Sequence, residues 1–133
     1  MGAIPIVKKM KLTENFNLEE FACKHCGKVE LAYVIPYFLQ KVRDKVGEAI
    51  FIVSGYRCPE HNRAVGGVAD SLHKTGRAVD IRAQGIIPEK LAKIAYEEGF
   101  CTVIIYDTFC HCQFQGRLGM GIFRNIKGSK EVR

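Results

Sequence analysis

Two short stretches alternate strictly between apolar and polar residues, and this period of two constrains the fold more than any other feature of the chain. In Ala78-Val79-Asp80-Ile81-Arg82, Val79 and Ile81 share one side while Asp80 points to the other. In Cys110-His111-Cys112-Gln113, the cysteines share one side and His111 and Gln113 the other. A segment of this kind is a strand that turns its apolar side to a core. If the two meet in one sheet, Asp80 and His111 lie on the surface facing away from that core.

Helical signals supply the covering layer. Asn17 has the chemistry of an N-cap for a short helix through Leu18-Glu19-Glu20-Phe21, ending before Gly27. Ile35, Phe38, Leu39, Val42 and Val46 share one helical face, with Pro36 tolerated in the first turn and Gly47 as the stop. Pro88 opens another helix, whose Leu91, Ile94 and Ala95 face inward and which Gly99 ends. Cys58-Pro59-Glu60-His61-Asn62 begins a short helix ahead of a Gly66-Gly67 loop. Ala49 to Val53 reads as a central strand that ends at Ser54-Gly55. Cys101 to Tyr106 and Phe109 to Phe114 read as an antiparallel hairpin joined at Asp107-Thr108.

The expected fold class is therefore α+β: a single domain with a small, antiparallel-rich central sheet, helices on one face and the chemistry on the other. Its expected span is 13–124, after a loosely attached N-terminal arm (1–12) and before a basic tail (125–133).

Composition narrows the partners. The chain of 133 residues carries a net charge of +6, enough to favour polyanions, but its basic residues are scattered. The densest run, Arg124, Lys127, Lys130 and Arg133, has little aromatic interleaving, so no specific nucleic-acid partner is expected. No apolar stretch approaches the roughly 20 residues that span a bilayer, and membrane insertion is not expected. Met1 to Lys9 lacks a charged region ahead of an apolar one and does not read as a signal peptide. Cytoplasmic synthesis of a monomer is expected, with any release to the cell wall made through another protein's pore.

Among the six cysteines, Cys101, Cys110 and Cys112 fall in apolar, strand-like runs that suit reduced, buried thiols. Cys23-Lys24-His25-Cys26 is half of a zinc knuckle, and no second Cys-x-x-Cys completes it. A local disulfide, a partial metal site with Cys58 and unpaired thiols all stay open. His25 and His61 read as surface residues, with His61 near a cleft.

His73, Asp80 and His111 form a different kind of set. Two imidazoles and one carboxylate are ordinary zinc donors, and three protein ligands leave a tetrahedral ion one open position for water or substrate. Each residue alone has an ordinary alternative, a loop histidine or a solvated strand aspartate. Their joint occurrence is the informative fact.

The runs Phe21-Ala22-Cys23, Ser54-Gly55-Tyr56-Arg57-Cys58-Pro59-Glu60-His61-Asn62, Ser71 to Asp80 and Phe109-Cys110-His111 together resemble the M15 zinc peptidases. These are the D-alanyl-D-alanine carboxypeptidases and phage peptidoglycan endopeptidases, and the likeness extends from Phe16 to Arg117. The resemblance implies a Zn2+ cofactor held by His73, Asp80 and His111, with Arg57 and Ser71 binding substrate. It implies hydrolysis of a peptide bond in bacterial wall stem peptides, by a carboxypeptidase or an endolysin-type endopeptidase. A metal of this kind lowers the pKa of water to about 7, and a planar guanidinium takes a substrate carboxylate through two hydrogen bonds.

A proton carrier is harder to place. Asp107 is the nearest acid before His111, about 13 Å away along an extended strand, and is expected to serve through a turn that folds it back. Glu60 is the reserve. The alternative reading is a catalytically inactive, zinc-stabilised module that binds the cell wall, favoured by Gln113 where a second acid would stand.

Overall fold

The computed structural model describes residues 10–115 and 120–125. In chain order it contains β1 (Lys11–Thr13), β2 (Phe16–Asn17), a 3-10 turn (Leu18–Phe21), α1 (Val34–Val46), β3 (Ile50–Ser54) and α2 (Pro59–Ala64). A second 3-10 turn (Leu72–Thr75), β4 (Ala78–Ala83), α3 (Pro88–Glu97), β5 (Thr102–Ile105), β6 (Cys110–Gln113) and β7 (Gly121–Arg124) follow. The main sheet runs β3-β4-β6-β5-β7, antiparallel throughout except for the parallel pair β5–β7. β1 and β2 form a separate two-stranded ribbon.

The fold is α+β, as the alternation implied. One face of the sheet presents Val79, Ile81, Val103, Ile105, Cys110 and Cys112 to the core. Against it lie Ile35, Leu39 and Val42 of α1 and Leu91, Ala92 and Ala95 of α3, all buried. Helical spacing placed these residues on single faces, so each helix buries one stripe and leaves the rest in solvent. α1 ends as the sequence foretold, with Gly47 in the left-handed region at φ 77° and its N–H returning to the Arg43 carbonyl at 2.9 Å. The 3-10 turn at Leu18 carries a capping box between Asn17 and Glu20.

Three expectations change. β3 is an edge strand of the sheet, not a central one, with Phe51 40% exposed; its apolar content comes from Ile50 and Ile52, which pack on the core although the strand pairs with β4 alone. β4 is buried on both faces, because the Leu72–Thr75 turn packs over its second side and leaves Asp80 only 5% exposed. Lys11 and Leu12, assigned to the arm, belong to β1, and Leu12 packs against the core. The rest of that arm, residues 1–9, and the tail from 126 onward lie outside the described residues.

Cys110 and Cys112 are fully buried, and all six cysteines carry free thiols. Burial pushes the Cys110 thiol up to about 12. It behaves as a small hydrophobe rather than a nucleophile.

Candidate metal centre

The β4–β6 ladder sets Asp80 directly opposite His111, as the two alternating stretches required. Nδ1 of His111 lies 2.9 Å from Oδ1 of Asp80. His73 enters from above the sheet on the Leu72–Thr75 turn, where Ser71 caps the turn by accepting the His73 N–H at 3.2 Å. Nε2 of His73 then stands 3.1 Å from Asp80 Oδ1 and 3.2 Å from His111 Nδ1. Gly76 closes the turn at φ 72°, and a Cβ there would lie 2.2 Å from the Glu30 carbonyl oxygen. Only glycine meets both conditions.

The outward nitrogens decide what the inward ones can do. His73 Nδ1 faces the Gly55 carbonyl at 2.8 Å, an acceptor only, so this nitrogen carries the proton. His111 Nε2 faces Gln113 Oε1 at 2.8 Å, while the Gln113 amide donates toward the Gln115 carbonyl. Both neutral imidazoles therefore aim lone pairs at the same point as a carboxylate oxygen. Three acceptors converge with no proton between them, an arrangement that a cation completes.

Size agrees with zinc. Bonds of 2.0–2.1 Å in a tetrahedron separate neighbouring ligand atoms by about 3.3 Å, and the observed 2.9, 3.1 and 3.2 Å fall within a few tenths of this. Burial holds His73 below the ordinary imidazole value, outweighing the opposite pull of Asp80, and so favours its ligating neutral form. Burial alone would raise the Asp80 carboxyl, but whenever an inward nitrogen of His73 or His111 carries a proton in place of a cation, its charge and hydrogen bond reverse the sign and hold Asp80 well below the usual carboxylate range.

Arg57 is anchored around the same carboxylate. Its NH2 group donates to Asp80 Oδ2 at 3.3 Å, its Nε to Ser54 Oγ and its NH1 to Asn62 Oδ1, each at 3.1 Å. Among the described residues, one N–H on each terminal nitrogen is left over. Gly67 makes this possible, since a Cβ there would stand 2.1 Å from Asn62 Oδ1 and 2.9 Å from Arg57 NH1. The backbone joins the two loops as well, through Arg57 N–H to the His73 carbonyl at 3.0 Å.

A profile of the family described as Peptidase M15 matches residues 14–113, three quarters of the chain. The chain belongs to the M15 peptidase family. No curated protein matches it. The M15 match takes in all three convergent donors together with Gln113, and it stops before β7. M15 peptidases typically depend on a metal, and the residues that would hold one here are His73, Asp80 and His111.

The acids proposed for proton transfer fall elsewhere. Asp107 sits exposed at the tip of the β5–β6 hairpin, where Tyr106 N–H bonds to the Phe109 carbonyl across the two-residue turn. Ile104 is the residue opposite His111, so Asp107 stands three ladder steps away, about 10 Å. Glu60 is 77% exposed and faces His25 at 4.0 Å. Two contributors were not read from the sequence: Gln113, which fixes the His111 tautomer, and Asn62, which with Ser54 orients Arg57. For Gln113 the signal was present, in a polar residue sharing a strand face with His111.

Proposed function

We propose that this M15 peptidase is zinc-dependent and hydrolyses a peptide bond in the stem peptides of bacterial peptidoglycan. The observation that carries the reading is the convergence of His73 Nε2, His111 Nδ1 and Asp80 Oδ1 at 2.9–3.2 Å, with both imidazole N–H groups held on the far side. Bound there, zinc would supply Lewis acidity toward the scissile carbonyl and toward water.

The chain's own residues prepare that chemistry. Gly55 and Gln113 fix the two tautomers, so no proton has to leave an inward nitrogen before the ion is held. Arg57 balances the buried Asp80 charge, and its two remaining N–H groups offer a fork for a substrate carboxylate. Ser71, 9% exposed, shapes the His73 turn and keeps its O–H as a donor toward substrate.

A second reading keeps the metal and drops the reaction, giving a zinc-stabilised wall-binding module. The positions of Asp107 and Glu60 favour it, because neither joins the three donors. Mass spectrometry of purified wall fragments after incubation with the protein separates the readings and identifies the bond cleaved. A new stem-peptide terminus supports the peptidase. Fragments that bind the zinc-loaded protein and stay intact support the module.

A further inference from the structure

We propose that the chain holds a second, structural zinc ion, with Cys23, Cys26 and Cys58 as thiolate ligands and His25 as the fourth. The three sulfurs lie within 4.8 Å of one another although Cys58 is separated from Cys26 by more than thirty residues of sequence. His25 Nδ1 stands 3.4 Å from Cys58 Sγ. A tetrahedral ion with bonds of about 2.3 Å to sulfur and 2.0–2.1 Å to nitrogen would set sulfur pairs about 3.8 Å apart and sulfur–nitrogen pairs about 3.6 Å apart. The three sulfurs are thus already gathered near the spacing the ion demands, and the His25 imidazole stands beside Cys58, from which it would turn toward the other two sulfurs to complete the shell.

The backbone is arranged for thiolates. His25 N–H and Cys58 N–H both donate to Cys23 Sγ at 3.4 Å, and His61 N–H donates to Cys58 Sγ at the same distance. The Cys23-x-x-Cys26 turn is closed by Gly27 N–H on the Cys23 carbonyl at 2.8 Å. Four protein ligands close the coordination shell, which marks a structural rather than a catalytic ion. Zinc entering this site displaces the thiol protons to solvent.

The site joins the turn after the first 3-10 segment to the start of α2, on either side of the stretch that carries Gly55 and Arg57. Tyr56 N–H is already held by the Phe21 carbonyl at 2.8 Å. The second ion would therefore hold in place the strand end that supplies the His73 acceptor and the Asp80 cation. Its existence does not depend on wall cleavage.

The test uses the full chain with His111→Ala, which empties the first site, and reads zinc content with X-ray absorption at the zinc edge. The expected result is one retained equivalent with sulfur neighbours at about 2.3 Å. Loss of all zinc, or an ion with nitrogen and oxygen neighbours only, overturns the proposal. So does an intact mass showing a disulfide among these cysteines in protein purified under reducing conditions. In the wild-type chain loaded with cobalt, a thiolate-to-cobalt charge-transfer band is expected, and its absence overturns the proposal without any variant having to fold. His25→Ala should weaken this ion by about tenfold or more and His61→Ala should leave it unchanged. The reverse pattern overturns the assignment of His25.

Discussion

Replacing Gln113 by leucine isolates the step on which the first metal site depends. Gln113 is 5% exposed and accepts from His111 Nε2 at 2.8 Å. In the metal-free chain the loss is small, because His111 can move its proton to Nδ1 and donate to Asp80 at 2.9 Å. The zinc-loaded chain has no such escape: Nδ1 must keep its lone pair, and a buried Nε2–H is left without an acceptor. A neutral hydrogen bond contributes about 1 kcal/mol and a stranded buried donor costs about 1–3 kcal/mol. A net penalty of about 2 kcal/mol falls almost wholly on the bound state, a weakening of zinc by about 30-fold. Competition against a chromophoric chelator measures it, on variants whose circular dichroism matches the parent. Gln113→Glu retains the acceptor and should bind zinc at least as tightly as the parent. Parental affinity in the folded Gln113→Leu chain would falsify the tautomer argument.

Three further outcomes follow from the same geometry. Arg57→Ala leaves Asp80 Oδ2 buried without its cation, so urea unfolding under chelator should show a loss of about 3–5 kcal/mol, and a smaller loss with zinc present; equal losses would mean that Arg57 does not balance Asp80. Because His73 is held below its ordinary value of 6.5, the folded chain binds fewer protons than the unfolded one. Its contribution is complete above pH 6.5 and declines as pH falls below it, by up to about 1.4 kcal/mol per unit; urea midpoints across this range should show a slope that His73→Asn removes. Gly76→Ala must place a Cβ against the Glu30 carbonyl at positive φ and should cost at least about 2 kcal/mol in the same assay. A parental midpoint would show that the Leu72–Thr75 turn adjusts freely.

Strand alternation carried most of what could be read in advance. Val79 and Ile81 against Asp80, and Cys110 and Cys112 against His111, fix which face each side chain takes, and the observed β4–β6 pairing brings the two polar sides together. The helices were legible for the same reason, since Leu39, Val42, Leu91 and Ala95 repeat at helical spacing. What periodicity cannot carry is the order of strands. Ile50 to Ser54 has the apolar content of a central strand and yet lies at the edge, and Gly121–Arg124, at the end of the expected domain, pairs in parallel with β5 without having been read as a strand. Non-local hydrogen bonds were equally hidden. The resemblance pointed to Arg57 as a substrate ligand, but not to the hold that Ser54, Asn62 and Asp80 have on it, a geometry created by two loops meeting above β4. Asp107 could have reached the donors only through a turn that doubled back. The two-residue turn at Asp107-Thr108 instead continues the hairpin outward.

The most direct measurement of the central claim is release of new amino groups from purified peptidoglycan by the zinc-loaded protein, repeated after chelation and after zinc is restored. The account predicts release that stops with the chelator, returns with zinc and is absent from the His111→Ala chain. Full zinc occupancy at His73, Asp80 and His111 with no chelator-sensitive release would contradict it.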